Sequence, residues 1–161
     1  LVKKRSDIFT KAKRSQMMSR IRSRGNKDTE LALAKLFRQN QITGWRRQVQ
    51  IVAAVYDRRR LSGAHRAPLQ SRKFSVRPDF VFKRARLAVF VDGCFWHGCP
   101  RHSTKPKNNR TFWRNKFARN KARDVLVTRT LRRANWWVVR IWECSLKKNP
   151  LNCLRRIRRR L

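Results

Sequence analysis

Apolar positions along the chain alternate between helical and strand spacing. In residues 11–22, KAKRSQMMSRIR, the side chains Met17, Met18 and Ile21 stand among cations after Thr10, a capping residue type, which predicts a short helix with a basic polar face. Asp28 or Thr29 is placed to cap a second helix, in which Leu33, Leu36 and Phe37 recur at helical spacing. Glu30 falls in its first turn, where an acid favours the helix dipole. From Trp45 to Tyr56 the alternation in RRQVQIVAAVY predicts one strand. Residues 57–75 mix Arg, Gly, Pro and Ser without a period and predict a long surface loop. PDFVF and LAVFV, separated by KRAR, predict two adjacent antiparallel strands buried at the centre of a sheet.

Beyond GCFWHGCPRH, residues 110–134 predict one long helix with Phe112, Trp113, Phe117, Leu131 and Ala134 marking an apolar stripe. WWVVRIW at 136–142 is β-branched and aromatic, hence another core strand. Asn149 and Pro150 open a terminal helix over 149–161, with Leu151, Leu154, Ile157 and Leu161 on one side and arginines on the other. Strands with helices before, between and after them imply a single α/β domain over 1–161, one mixed sheet flanked by helices.

Charge narrows the function. Forty-four Lys and Arg against eight Asp and Glu give a formal charge of +36, so the expected partner is a polyanion, nucleic acid first. A hydrophobic content of 40%, with six Trp and nine Phe, is too high for a disordered basic tail. No apolar run approaches the roughly 18 residues of a membrane span, and LVKKRSDIFT lacks a signal-peptide core, so the expected location is the cytoplasm.

Carboxylates are scarce, and a chain with an anionic partner gains by losing them, which makes the survivors informative. Asp79 and Asp92 lie on or beside the apolar hairpin, where an unpaired carboxylate costs on the order of several kcal/mol. Asp79 therefore needs a cation: magnesium (Mg²⁺), held by one or two carboxylates and backbone carbonyls, or one of the many arginines. Four residues separate Cys94 from Cys99 and two separate Cys99 from His102, a compact donor set for zinc (Zn²⁺) that requires one more ligand. Cys144, directly after WWVVRIW, and Cys153 compete for that place. His97 lies inside the cluster but off the ligand pattern, either a structural imidazole or a general base acting through water. Phe95 and Trp96 either pack into a core or form a wedge that unstacks DNA bases.

RSQMMSRIRSRGNKDTEL, RPDFVF, AVFVDGCFWHGCPRH and VVRIWEC resemble the very short patch repair endonucleases, and TFW, Asn120, RD and Leu126 on the long helix follow the same pattern. The resemblance spans residues 9–146 with an interruption at 53–75. It implies a restriction-endonuclease-like α/β fold and an Mg²⁺-dependent enzyme that nicks double-stranded DNA 5′ to the thymine of a T·G mismatch. By resemblance, Asp79 binds magnesium, Val91 supplies a main-chain carbonyl to it, and His97 is the base. Glu30 matches an acid supporting the metal-water site, and Asp124 matches a helix acid near it. Phe95, Trp96 and Trp113 match an aromatic wedge, and Met18 a side chain inserted beside it. Cys94, Cys99, His102 and Cys144 match the ligands of a structural zinc. The chain departs from the family at residues 57–75, an insertion that threatens the strand carrying Asp79, and at Asp92, which either joins the metal site or faces solvent. The expected partners are mismatched DNA and other repair proteins, with no membrane, and the expected state is a monomer. Two rival readings are a non-catalytic RNA-binding or ribosome-associated protein and an inactive relative that binds DNA.

Overall fold

The chain's most apolar runs form the centre of its sheet. The computed structural model describes residues 10, 12–13, 15–16, 25–55, 72–102, 106 and 108–161. Lys27–Leu31 form a π-helical turn that continues as α1 (Ala32–Gln39), followed by β1 (Trp45–Arg47), β2 (Ile51–Val55), β3 (Arg72–Val76), β4 (Phe80–Phe82) and β5 (Leu87–Asp92). Then come α2 (Arg110–Arg133), β6 (Trp137–Trp142), α3 (Glu143–Lys148) and α4 (Pro150–Arg158). One sheet has the order β1-β4-β5-β6; β1, β4 and β5 are antiparallel neighbours, while β5 and β6 run parallel. A parallel pair needs a crossover, and α2 supplies it.

Every residue of β4 and β5 is buried because both faces of the sheet are covered. Phe80, Phe82, Leu87, Val89 and Val91 face α1 and α4, packing on Leu33, Phe37, Leu154 and Ile157. The alternate residues Val81, Ala88 and Phe90 face α2, packing on Val127, Leu131 and Ile51. Phe37 sits edge-on to Phe80 and Phe82, with ring centroids 5.1 and 5.7 Å away. Truncating it to Ala should cost about 3–5 kcal/mol.

Helix ends follow local chemistry. Both α1 and α2 close in a Schellman motif, with Gln41 (φ 55°) and Asn135 (φ 59°) in the left-handed region. Ile42 N–H then donates to Phe37 O at 2.9 Å, and Trp136 N–H to Leu131 O at 2.9 Å. At the other end of the first helical segment the cap is Asn26, whose side chain accepts from Asp28 N–H at 2.9 Å, so the turn begins ahead of the expected Asp28 or Thr29. Lys13 N–H donates to Thr10 Oγ1 at 3.3 Å, in line with a cap at Thr10. Met17 and Met18 lie outside the described residues.

Several expectations are corrected. The alternation from Trp45 to Tyr56 is not one strand: Gln48 takes φ 54°, its N–H donates to Asp79 O at 3.3 Å, and the chain leaves the main sheet. Beyond the break, β2 pairs antiparallel with β3 in a separate ribbon, from Ile51↔Val76 to Val55↔Arg72. The stretch 57–75 is therefore not all loop; 72–76 is a strand, and 56–71 lie outside the described residues. The ribbon is separate from the main sheet, in which β4 pairs with both β1 and β5. In α4, Leu151 is 69% exposed, and Leu161 beyond it is also exposed; Cys153 shares the buried side with Leu154 and Ile157 instead. In α2 the buried residues are Val127, Thr130 and Leu131, while Phe112 is 59% exposed, so the expected stripe holds only in the second half. The short helix α3 was not anticipated. No helix among the described residues is long and apolar enough to cross a membrane.

Candidate active site and metal centre

Parallel pairing of β5 with β6 builds the first half of the site. The register Asp92↔Trp142 brings both strands to the same edge, so the residues two places on, Cys94 and Cys144, emerge side by side. The turn after β5 is drawn tight by His97 N–H donating to Gly93 O (3.2 Å) and Cys99 N–H to Cys94 O (2.9 Å), with Gly98 at φ 63°. Here Cys94, Cys99, His102 and Cys144 offer ligand atoms that all lie within 4.8 Å of one another. Cys99 Sγ is 3.8 Å from both Cys144 Sγ and His102 Nδ1. That is well beyond a disulfide's length of about 2.05 Å. It matches the edge of a tetrahedron with zinc–sulfur bonds of about 2.3 Å. Cys153 is buried in the apolar core under α4, apart from this set.

The surroundings of the cysteines pull their acidities apart. Burial pushes the Cys94 thiol up to about 12. Burial acts on Cys99 too, but backbone N–H donors at Arg101 and His102, with the His102 and Cys144 side chains, bring it down to about 6. Thiolates this close to one another need a cation to ionise together.

The second half of the site gathers carboxylates around the C-terminal edge of β5. Asp79 Oδ2 accepts from Val91 N–H at 2.7 Å. Burial, outweighing that bond, raises its pKa to about 6, with further upward pressure from the charges of Glu30 and Asp92. Glu30, buried in the π-helical turn, accepts from Arg47 Nη2 at 2.8 Å and from Gly25 N–H at 3.2 Å. Its carboxylate is thus ion-paired inside the fold rather than placed merely as a helix-start acid. Asp92 is buried as well and does not face solvent: Arg140 from the neighbouring strand grips it through Nε (2.7 Å) and Nη2 (2.6 Å).

Arg140 reaches a second acid, with Nη2 2.9 Å from Asp124 Oδ1. On its other oxygen Asp124 meets His97 Nδ1 at 2.5 Å, and Asp92 Oδ1 is 3.7 Å from the same nitrogen. Burial alone would raise Asp124, but its bond with His97 and the charge of Arg140 hold the carboxyl below its ordinary range. An ionised carboxylate accepts only, so Nδ1 of His97 donates to Asp124 and Nε2 takes no part in that bond. Asp92, His97 and Asp124 place ligand atoms within 4.8 Å of one another. Arg140 already pairs with both acids of that set, whereas Asp79 makes no ion pair among the described residues.

Aromatic side chains cover the adjoining surface. Phe95 packs edge-on against Trp96 and Trp113, both at 5.1 Å, and Phe117 at 5.5 Å, all four half-buried. Asn120 Nδ2 donates to Trp96 O at 2.7 Å, fixing this turn to the long helix. Phe112 touches Trp113 at 5.4 Å and is exposed.

Residues 60–103 match the family described as DNA mismatch endonuclease Vsr. The chain is 30% identical over 158 residues to the type II nicking enzyme V.NmeAIP of Neisseria meningitidis serogroup A, covering 96% of this chain and 93% of that protein. The chain belongs to the Vsr family. Among other Vsr-like relatives, the type II nicking enzyme V.NaeI of Lentzea aerocolonigenes is 48% identical over 68 residues, 42% of this chain and 41% of that protein. The DNA mismatch endonuclease Vsr of Escherichia coli K12 is 36% identical over 80 residues, 49% of this chain. The chain thus spans about half of the Escherichia coli relative (51%) and less of V.NaeI (41%).

Three contacts in this Vsr chain escaped sequence reasoning. Arg140 is the lone cation inside WWVVRIW, and that interruption of an apolar run was the available signal. Phe117 joins the aromatic cluster from the expected stripe, four residues after Trp113. Glu143, held below its ordinary range chiefly by Lys147, accepts weakly from Cys94 N–H at 3.3 Å, tying α3 to the cysteine turn; nothing in the sequence marks that pair.

Proposed function

We propose that this chain is a magnesium-dependent endonuclease that nicks one strand of double-stranded DNA 5′ to the thymine of a T·G mismatch. The observation that supports the reading is Asp79: a half-buried carboxyl with no ion pair among the described residues, raised to about 6, bonded to Val91 of β5, whose next residue, Asp92, lies 3.7 Å from His97. A cation at Asp79 relieves that cost. The N–H and C=O of one strand residue face the same side. Val91 donates to Asp79, so its carbonyl also faces this carboxylate, beyond the last β4 pairing, and serves as the second ligand. Glu30, ion-paired to Arg47, stands as a second acid whose charge bears on Asp79. A bound magnesium would stabilise charge on the scissile phosphate and on the departing 3′ oxygen. His97 takes a proton at Nε2 from the water whose oxygen bonds to phosphorus, and Asp124 stabilises the imidazolium that results. The phosphorus–3′ oxygen bond breaks and the departing oxygen takes a proton from solvent, leaving a 5′ phosphate and a 3′ hydroxyl, while His97 returns its proton to solvent.

Zinc, held by Cys94, Cys99, His102 and Cys144, fills a closed donor set and acts structurally, bracing the turn that presents His97. Phe95, Trp96 and Trp113 form the wedge, joined by Met18 from outside the described residues. A mismatched step costs less to unstack, so the wedge selects it before any base edge is read. The enzyme works as a cytoplasmic monomer alongside other repair proteins.

The test is a nicking assay on labelled duplexes with a T·G mismatch, another mismatch or none, in magnesium or chelator. Cleavage only with magnesium, strongest on T·G, is expected from the wild type and none from Asp79→Ala, which should still bind. Normal cutting by that variant refutes the assignment.

A further inference from the structure

A groove of about 610 Å³ begins at Asp124 and Arg140 and follows α2 away from the aromatic cluster. Val125 and Thr128 lie along it, and Arg129, Arg132 and Arg133 line its far part. These three arginines are exposed and form no ion pair with any described carboxylate, unlike Arg140. Arg132 and Arg133 stand in the last turn of α2, where the helix dipole favours cations but leaves their N–H donors open to an outside acceptor. Val125, 57% exposed, offers methyl groups to the same trough.

Guanidinium forks beside a small apolar surface match a sugar-phosphate backbone: the forks take phosphate oxygens and the methyl groups meet deoxyribose. Asp124 and Arg132 are separated by about 12 Å at a rise of about 1.5 Å per residue, so the arginines lie several phosphates from His97. The aromatics Trp113 and Phe117 occupy the opposite, N-terminal half of the same helix.

We propose that this groove binds the phosphate backbone of duplex DNA on the side of His97 opposite the aromatic wedge, so that the footprint on the substrate is extended along α2. The inference rests on the DNA-nicking reading for its substrate, but its observations are separate from Asp79 and the cysteine cluster.

The experiment compares wild type with a triple variant, Arg129→Gln, Arg132→Gln and Arg133→Gln, on a T·G duplex across a salt series and on duplexes trimmed from one end at a time. A charge-matched control replaces Lys35, Lys148 and Arg155, exposed on α1, α3 and α4. Three phosphate contacts at about 0.9 each should lower the slope of log affinity against log salt by about 2–3 in the triple variant, and by clearly less in the control. Trimming one end should weaken the wild type and leave the triple variant unaffected. Nicking at saturating DNA should stay within about twofold, because these contacts are uniform between ground and transition states. Equal slopes in triple variant and control, or equal sensitivity of wild type and triple variant to trimming, overturns the groove. If the wild type shows this salt and end dependence yet leaves every strand intact, the nicking reading falls and the groove stands. A wild type that binds no duplex overturns both.

Discussion

The two clusters at the edge of β5 and β6 solve the burial of reactive side chains in opposite ways. Cys94, Cys99, His102 and Cys144 form a complete donor set, four ligands converging from one turn and one helix start, with no position left over. The acids a few residues away are divided: Arg140 pairs with Asp92 and Asp124, while Asp79 has no ion pair among the described residues and its pKa is raised by burial. A closed set holds the fold together and an open one is available for a reacting phosphate. Under the proposed function, the first set braces the fold and the second carries the chemistry.

The largest expected effect separates the two. Asp79→Asn should lower nicking by at least about 10³-fold, in keeping with the several kcal/mol a metal contributes to phosphoryl transfer. Cys144→Ala should instead release the zinc, measurable by elemental analysis, and cost several kcal/mol of stability in urea titrations. Cys153→Ala should leave zinc content unchanged. If the Cys153 variant lost zinc and the Cys144 variant kept it, the ligand set would be wrong.

Next in size is Arg140→Gln, which strands two acids in a half-buried site and should destabilise by about 3 kcal/mol. Asp124 is depressed in the fold, so its contribution is present at neutral pH and lost as pH falls through its folded pKa. The variant should therefore lose stability mainly at neutral pH and resemble wild type more closely in acid. A pH-independent difference would count against the charge network.

Asp79 should show the opposite sign. Its carboxyl ionises near the ordinary 3.8 when unfolded and at about 6 in the fold, so stability falls as pH rises across that window. The shift corresponds to about 3 kcal/mol. In chelator at pH 8, Asp79→Asn should thus be more stable than wild type by up to about 3 kcal/mol, with the gap closing near pH 4 and on adding magnesium. The smallest effect belongs to the aromatic surface: Trp96→Ala should reduce the preference for mismatched over matched duplex by about tenfold, with phosphate affinity little changed. Equal loss on both duplexes would argue against a wedge.

How far the fold could be read from the sequence depended on how much each segment's own pattern decided. PDFVF and LAVFV were legible because burial on both faces leaves no room for polar residues. The long helix was legible in extent, but its stripe misled in the first half, where Phe112 and Trp113 face outward or toward other rings rather than the core. The break at Gln48 gave no warning: a non-glycine residue took the left-handed region within an unbroken alternation, because its N–H found Asp79 O. RKFSV hid a strand because β3 pairs only with β2, with a pattern too polar to register. In the site, cysteines and scarce acids announced themselves by composition. Their division into satisfied and unsatisfied groups depended on Arg140, which only the strand register could bring across.

The Ile51↔Val76 pairing at the base of the β2–β3 ribbon has a practical meaning. Since β2 and β3 hydrogen-bond to each other and not to the four-stranded sheet, a substitution that loosens this pair should leave the strand that follows Pro78 held by its own two neighbours.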